Sequence, residues 1–104
     1  MAIKCARAAT DRDVILSLGD VYHGHTYGAL SIGEARGRVT GTTLPGCEQL
    51  AMPRTTDDAD ALIAQIHDRL QKNDVAAFIS EPVWTNAGVY VPPPNFYPEV
   101  ERLC

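Results

Sequence analysis

Two short apolar runs limit the folds open to this chain more than any other feature of its sequence. Residues 13–19, DVILSLG, and residues 75–82, VAAFISEP, are rich in strand-forming residues and contain few polar ones. Such a run is typical of a β-strand covered on both faces, as in a parallel sheet, because a half-exposed strand alternates polar and apolar residues. We therefore expect a parallel sheet with helices packed on its faces.

An amphipathic helix is predicted between these two strands, over residues 55–73, TTDDADALIAQIHDRLQKN. Its apolar residues recur at helical spacing and form a single stripe: Ala59, Leu62, Ile63, Ile66 and Leu70. Thr55 or Thr56 can cap its N-terminus, where the acidic residues that follow interact favourably with the helix dipole. Two neighbouring parallel strands require a crossover connection of this kind.

The remaining segments extend the same alternation of helices and strands. Helices are predicted over residues 1–9, within 25–33 and over 95–104, a short strand over 48–53, a loop over 33–47 and an extended segment over 88–94. The fold class is therefore α/β, a partial parallel sheet flanked by helices. Ligands of such sheets bind at the carboxyl ends of the strands. Two strand ends are therefore of interest, GDVYHGH (19–25) and SEPVWTNAG (80–88).

Composition argues against several classes of protein. The chain has 104 residues and a formal charge of −4 without a basic stripe, so we expect one domain at most and no nucleic acid partner. No apolar run approaches the length of a membrane span. The three cysteines are far apart and form no CxxC pair. This usage indicates reduced thiols in a cytoplasmic protein and argues against a disulfide framework or a structural zinc site.

The first strand end carries Tyr22, His23, Gly24 and His25. One interpretation is an aromatic platform, in which Tyr22 stacks on a flat ring, His23 adds an edge contact and Gly24 lets the backbone approach closely. A metal site is not expected, because no acidic or thiol partner of the His-x-His pair stands at a recognisable ligand spacing. The residue types alone favour the simplest alternative, a loop whose histidines make ordinary hydrogen bonds.

The second strand end carries Glu81, Trp84 and Asn86. A carboxylate that closes a buried strand is costly unless it is paired, so Glu81 either caps a neighbouring amide, lies beside a cationic group of a ligand or holds another acid in place. Trp84 and Asn86 line the same crevice in one interpretation, and Trp84 belongs to the core in the other. Lys4 and Lys72, the only lysines, are predicted to be surface charges on amphipathic helices, away from both strand ends.

The segments DVILSLGDVYHGHTYGALSIG and VAAFISEPVWTNAGVYVPPPNFYPEVERLC together resemble the class III aminotransferases, pyridoxal-phosphate enzymes of fold type I. The resemblance implies that residues 1–104 are part of the large cofactor-binding domain. It implies that Tyr22 stacks on the pyridine ring of pyridoxal 5'-phosphate and that His23 belongs to the same wall. It also implies that Glu81 lies near the polar edge of the cofactor and that Trp84 lies toward the substrate.

The same resemblance implies that important parts of the enzyme lie outside the chain. In the family, the turn that binds the cofactor phosphate would precede Met1. The aspartate that pairs with the pyridine nitrogen and the Schiff-base lysine would follow Cys104. We therefore expect an internal piece of the domain, truncated at both ends, with no catalytic residue of its own and no activity in isolation.

The complete enzyme is expected to be a cytoplasmic homodimer that moves an amino group between an amine or amino acid and a keto acid or aldehyde. Asn86 stands where many family members carry a glutamate that pairs with an arginine gating substrate carboxylates, which leaves the substrate class open. An aminomutase or a phospholyase of the same fold is one alternative. The other is a small non-catalytic α/β binding domain with its crevice between the two strand ends, which requires a complete core and capped ends.

Overall fold

A computed structural model describes residues 1–33, 43–86 and 88–104, which form four helices and three strands. Their bounds are α1 Ala2–Thr10, β1 Val14–Leu18, α2 Tyr27–Ile32, β2 Cys47–Leu50, α3 Thr56–Leu70, β3 Val75–Ile79 and α4 Phe96–Leu103. The predicted order of helices and strands is confirmed. The predicted loop over 33–47 falls largely on residues 34–42, which lie outside the described ranges. Within those ranges, no helix is both long and apolar enough to span a membrane.

The three strands form one parallel sheet in the order β2-β1-β3. The central strand β1 is buried at all of its positions, as the uninterrupted apolar run predicts. β2 ends earlier than expected, at Leu50, because its last partner on β1 is Leu18, the residue at which β1 ends. β3 ends at Ile79, whose partner on β1 is Ser17, one residue before the end of that strand. The predicted α/β class with a partial parallel sheet is confirmed.

Side chains of β1 alternate between two apolar layers. Val14, Leu16 and Leu18 belong to the larger cluster, which includes buried residues of α3 and α4. Ile15 belongs to the smaller cluster, where Ile3 from α1 packs with other apolar side chains of the opposite face. Because helices of the described residues pack on both faces, we expect a ligand site at the ends of the strands.

Side-chain caps fix the starts of two helices, as the sequence predicts. The Thr55 hydroxyl accepts from the backbone N–H of Asp58, and the Asp58 carboxylate accepts from the N–H of Thr55, which completes a capping box on α3. The Thr26 hydroxyl accepts from the N–H of Ala29 at the start of α2. The cap on α2 anchors the loop that follows β1, where the first group of candidate site residues lies.

Arg69 joins the C-terminal end of α3 to the start of β2 and to the turn before β3. Its side chain is only 10% exposed, and its guanidinium donates to both Glu48 oxygens, at 2.7 and 2.9 Å, and to Asp74 Oδ1 at 2.5 Å. Hydrogen bonds from Arg69 are the main cause that lowers the pKa of Glu48 and the pKa of Asp74. This cluster lies at the amino edge of the sheet and stabilises the packing of α3 on it.

Replacing Arg69 by methionine should therefore destabilise the protein most at neutral pH. Because the carboxylate pKa values are lowered on folding, their contribution is present above the unfolded pKa values of about 4 and is lost as the pH falls through the folded ones. The difference in unfolding free energy between the parent protein and Arg69→Met should shrink on going from pH 7 to pH 3, as measured by urea denaturation at both values. An unchanged difference would show that the pairing contributes no pH-dependent stability. Arg102→Met, which removes an exposed intrahelical pair with Glu99, is the control and should show little effect at either pH.

Candidate functional site

The carboxyl ends of β1 and β3 bring Tyr22 and Glu81 together. The two strands are parallel neighbours, so the segments that follow them leave the sheet at the same edge. The backbone N–H of Tyr22 donates to Glu81 Oε1 at 2.5 Å, across 59 positions of sequence. This hydrogen bond joins the two strand ends that the sequence singles out.

Glu81 is held as a carboxylate by several donors. Its Oε2 accepts from the Thr85 hydroxyl at 3.0 Å and from the Thr85 N–H at 3.3 Å. Burial alone would raise the pKa of Glu81, but the N–H of Tyr22, both Thr85 donors and the nearby His23 outweigh that effect and lower the pKa. Of the three interpretations weighed for this residue, the structure shows the capping of neighbouring amides. The resulting negative charge sits between the two loops.

Trp84 lies in the core, which is the second of the two placements weighed for it. It is 0% exposed, stacks on Tyr90 at 5.2 Å between ring centroids and meets the ring of Phe96 edge-on at 5.6 Å. An antiparallel bridge between Trp84 and Tyr90 closes the turn between them, so part of the predicted extended segment 88–94 folds back on residue 84. The placement toward substrate implied by the family resemblance is therefore not the one seen in this chain.

A partly buried polar network next to Glu81 includes two residues that the sequence did not single out, Ser80 and Tyr97. The Trp84 indole N–H lies 3.0 Å from both the Ser80 and the Tyr97 hydroxyl oxygens. The Tyr97 hydroxyl also donates to the backbone carbonyl of Glu81. α4 thereby holds the chain at the end of β3, and the position of the Glu81 carboxylate follows from it. No local pattern marks Tyr97 as a partner, because it lies 13 to 17 positions from Trp84, Glu81 and Ser80 in the sequence.

The ring of Tyr22 is 46% exposed at the mouth of this region. Its hydroxyl lies 2.8 Å from His25 Nδ1, and the two rings meet edge to face with centroids 5.3 Å apart and an angle of 68° between their planes. Gly24 lies between them with φ 111°, a conformation that other residues rarely adopt. The tight turn at Gly24 is what folds His25 back onto Tyr22, so the glycine has a role in the site that differs from close approach to a ligand.

His23 lines a cavity of about 570 Å³ at the same edge of the sheet. Its wall also includes residues of α2, the start of α1, Leu44 before β2 and Ile79 at the end of β3. The Nε2 atom of His23 is buried and has no hydrogen-bond partner within the described part of the chain. Burial lowers the pKa of His23, and the opposing charge of Glu81 does not offset this. The imidazole is therefore neutral at pH 7, and its buried Nε2 is without a hydrogen-bond partner among the described residues.

The position predicted for Lys4 requires a correction, because Lys4 lines the same cavity as His23. A helix joined to the next strand by a short turn runs back along it. α1 ends at Thr10 and β1 begins at Val14, so the start of α1 lies at the carboxyl edge of the sheet. Lys72 precedes β3 and lies at the opposite edge, as expected. Within the described ranges, no group of three His, Cys, Asp or Glu residues is arranged to hold a metal ion.

Comparison with known proteins relates this arrangement to one family. Residues 1–104 match the family model described as Aminotransferase class-III. The aminotransferase PigE of a Serratia species is 36% identical over 99% of this chain, which covers 11% of that protein. Glutamate-1-semialdehyde 2,1-aminomutase of Clostridium perfringens is 35% identical over 99% of this chain and 25% of its own length.

A solved structure shares the fold over nearly the whole chain. Taurine:2-oxoglutarate aminotransferase from Bifidobacterium kashiwanohense, in complex with PLP and glutamate, superimposes with a TM-score of 0.86 and 28% identity. The alignment covers 99% of this chain and 27% of that one. The chain thus spans about a quarter, or less, of the length of the proteins it resembles.

Proposed function

The chain belongs to the class III aminotransferase family, and we propose that it forms one wall of a pyridoxal 5'-phosphate pocket in a transaminase. The observation that carries the proposal is the hydrogen bond from Tyr22 to Glu81, which joins the carboxyl ends of two parallel strands. Ligands of open α/β sheets bind at such ends. On this proposal, residues 1–104 belong to the large cofactor-binding domain of the enzyme.

The residues present at this edge suit such a cofactor. Tyr22 offers an exposed aromatic ring that can stack on a flat electron-poor ring without reacting with it. His23 presents a buried nitrogen that has no partner in the described residues, next to a cavity large enough for a small molecule. Glu81 carries the negative charge expected beside the polar rim of the cofactor.

When bound, pyridoxal 5'-phosphate supplies the electron sink for chemistry at the amino-bearing carbon of a substrate. On this proposal, the residues of this chain bind the cofactor and orient it. Tyr22 would stack on the cofactor ring and His23 would belong to the same wall, while Glu81 holds the two loops together through its hydrogen bond with Tyr22. None of the three is assigned a proton transfer, and the groups that carry out the reaction belong to other parts of the enzyme.

We propose that the complete enzyme is a cytoplasmic homodimer that transfers an amino group from an amine or amino acid to a keto acid or aldehyde. Exposed free thiols at Cys5 and Cys104 suit a reducing compartment. An aminomutase is the second candidate, and the 35% identity to a glutamate-1-semialdehyde 2,1-aminomutase favours it. Asn86, at the position where the family resemblance expects a gating glutamate in ω-amino acid transaminases, is compatible with either.

The two candidates differ in whether a separate acceptor is consumed. The complete protein, loaded with pyridoxal 5'-phosphate, should be incubated with a panel of amine donors, with and without an added keto acid. Amino transfer that depends on the keto acid supports the transaminase, whereas isomerisation of a single amino aldehyde without an acceptor supports the aminomutase. Absence of both activities and of cofactor binding would contradict the proposed function.

Lys4 and Lys72 should not become covalently attached to the cofactor, and the chain of residues 1–104 alone should show no amino transfer. Lys4 is exposed on the rim of the cavity, whereas a reactive lysine needs desolvation or a nearby cation. The measurement is borohydride reduction with pyridoxal 5'-phosphate followed by peptide mass spectrometry. Stoichiometric labelling of Lys4 together with turnover would show that the chain is more than a binding wall. Lys4→Met in the complete enzyme should retain turnover.

A further inference from the structure

We infer that His25 is a positioning residue for Tyr22, a role that rests on the proposed function of the Tyr22 ring. Like Tyr22, His25 does not line the cavity beside His23, and it acts through the Tyr22 ring. Its role is to hold the phenol at a fixed angle, so that the ring already has the orientation needed for stacking before any ligand arrives.

Two independent contacts join the residues. The Tyr22 hydroxyl lies 2.8 Å from His25 Nδ1, which fixes the tip of the phenol. The imidazole also meets the phenol ring edge to face, with centroids 5.3 Å apart, which limits rotation of the ring about its long axis. A hydrogen bond alone would leave that rotation open, so the pair restrains both the direction and the plane of the Tyr22 ring.

The loop is built to keep this pair together. At one end, the N–H of Tyr22 is bound to the Glu81 carboxylate. At the other end, Thr26 caps α2 directly after His25. Between them, Gly24 turns the backbone with φ 111°. The segment 22–26 is therefore anchored on both sides of a single sharp turn, and His25 has little freedom to leave Tyr22.

The restraint matters because the Tyr22 ring is only partly packed against the protein. Its side chain is half-exposed, and the hydroxyl has His25 as its partner among the described residues. A ring that is free to rotate loses conformational entropy when a ligand stacks on it, whereas a ring that is already held does not. Removal of the restraint should weaken cofactor binding about threefold to tenfold.

A double-mutant cycle in the complete protein tests this role. The dissociation constant for pyridoxal 5'-phosphate should be measured for the parent, His25→Leu, Tyr22→Phe and the double variant, together with the circular dichroism of the bound cofactor. His25→Leu should weaken binding and change the dichroic band, and its effect should be smaller in the Tyr22→Phe background, where the hydroxyl is absent and only the edge-to-face contact remains to be lost. His25→Asn, whose side chain places a polar atom near the position of Nδ1 but has no ring, should restore part of the affinity that His25→Leu loses.

Two results would overturn the inference: equal effects of His25→Leu in both backgrounds, or no effect in either. A different set of results would contradict the proposed function. If Tyr22→Ala leaves the dissociation constant unchanged, the stacking role of Tyr22 is wrong. If Tyr22→Ala weakens binding and His25→Leu does not, stacking stands and only the positioning role of His25 is wrong.

Discussion

Replacing Trp84 by alanine should lower the free energy of unfolding by about 3–5 kcal/mol, the range for removing a large aromatic residue from a packed core. The indole is fully buried between Tyr90 and Phe96. Its loss would leave a cavity where the end of β3 meets α4, and would remove the N–H from the Ser80–Tyr97 network. Because this network holds the Glu81 carbonyl, the strand end should loosen as well.

Urea denaturation of the purified variants measures this effect. Trp84→Phe, which keeps an aromatic ring and lacks the N–H, should lose less, since Ser80 and Tyr97 can still bond to each other at 3.1 Å. Val91→Ala provides a control in the same segment, because Val91 is 66% exposed and its truncation should change stability by no more than about 0.5 kcal/mol. A loss below about 1 kcal/mol for Trp84→Ala would mean that Trp84 does not belong to the core.

Replacing Glu81 by alanine should separate the ends of β1 and β3. Three donors, the N–H of Tyr22 and the N–H and hydroxyl of Thr85, would lose their charged acceptor. Hydrogen bonds to a charged group contribute about 1.5–3 kcal/mol, and we expect a loss near the lower value because these donors can reach water. Cofactor affinity should fall in the same variant, since the Tyr22 loop loses its anchor on β3.

The Glu81→Gln substitution removes the charge of the side chain and keeps its shape. The pKa of Glu81 is lowered on folding, so the stability due to its charge is present above the unfolded pKa and is lost as the pH falls through the folded one. The difference in unfolding free energy between the parent and Glu81→Gln should therefore have its largest value at pH 7 and should diminish below about pH 4. A difference that grows in acid would contradict the assignment of Glu81 as a carboxylate held by donors.

The sequence predicts the parallel sheet, and with it the proximity of the carboxyl ends of β1 and β3, because the strands are marked by local apolar runs. The apolar run of residues 13–19 requires a strand covered on both faces, and β1 is buried throughout. Once β1 and β3 are parallel neighbours, Tyr22 and Glu81 have to leave the sheet at one edge. The periodicity of residues 55–73 and the Thr55 cap likewise give α3 to within a few residues.

The parts that the sequence could not give depend on contacts between distant residues. The sequence left two placements for the Trp84 side chain, the core and the crevice. The choice depends on its hydrogen-bond partner Tyr97, which lies on α4, and no pattern near residue 84 indicates that contact. His25 was not distinguished from other loop histidines, because its contact with Tyr22 requires the backbone turn at Gly24. The position of Lys4, in contrast, could have been predicted from the sequence. A helix that precedes β1 by a short turn runs back along it, which places the start of α1 near the strand ends.

The proposal that Tyr22 forms a wall of the cofactor pocket is best tested by the affinity of the complete protein for pyridoxal 5'-phosphate. Tyr22→Ala should raise the dissociation constant about fivefold, equivalent to roughly 1 kcal/mol of lost stacking. Tyr27→Ala is the matched control, because Tyr27 is 49% exposed, close to the 46% of Tyr22, and lies five positions further along the chain. Tyr27→Ala should bind the cofactor as tightly as the parent. Equal affinities for the parent and Tyr22→Ala, or equal losses in the two alanine variants, would contradict the proposal.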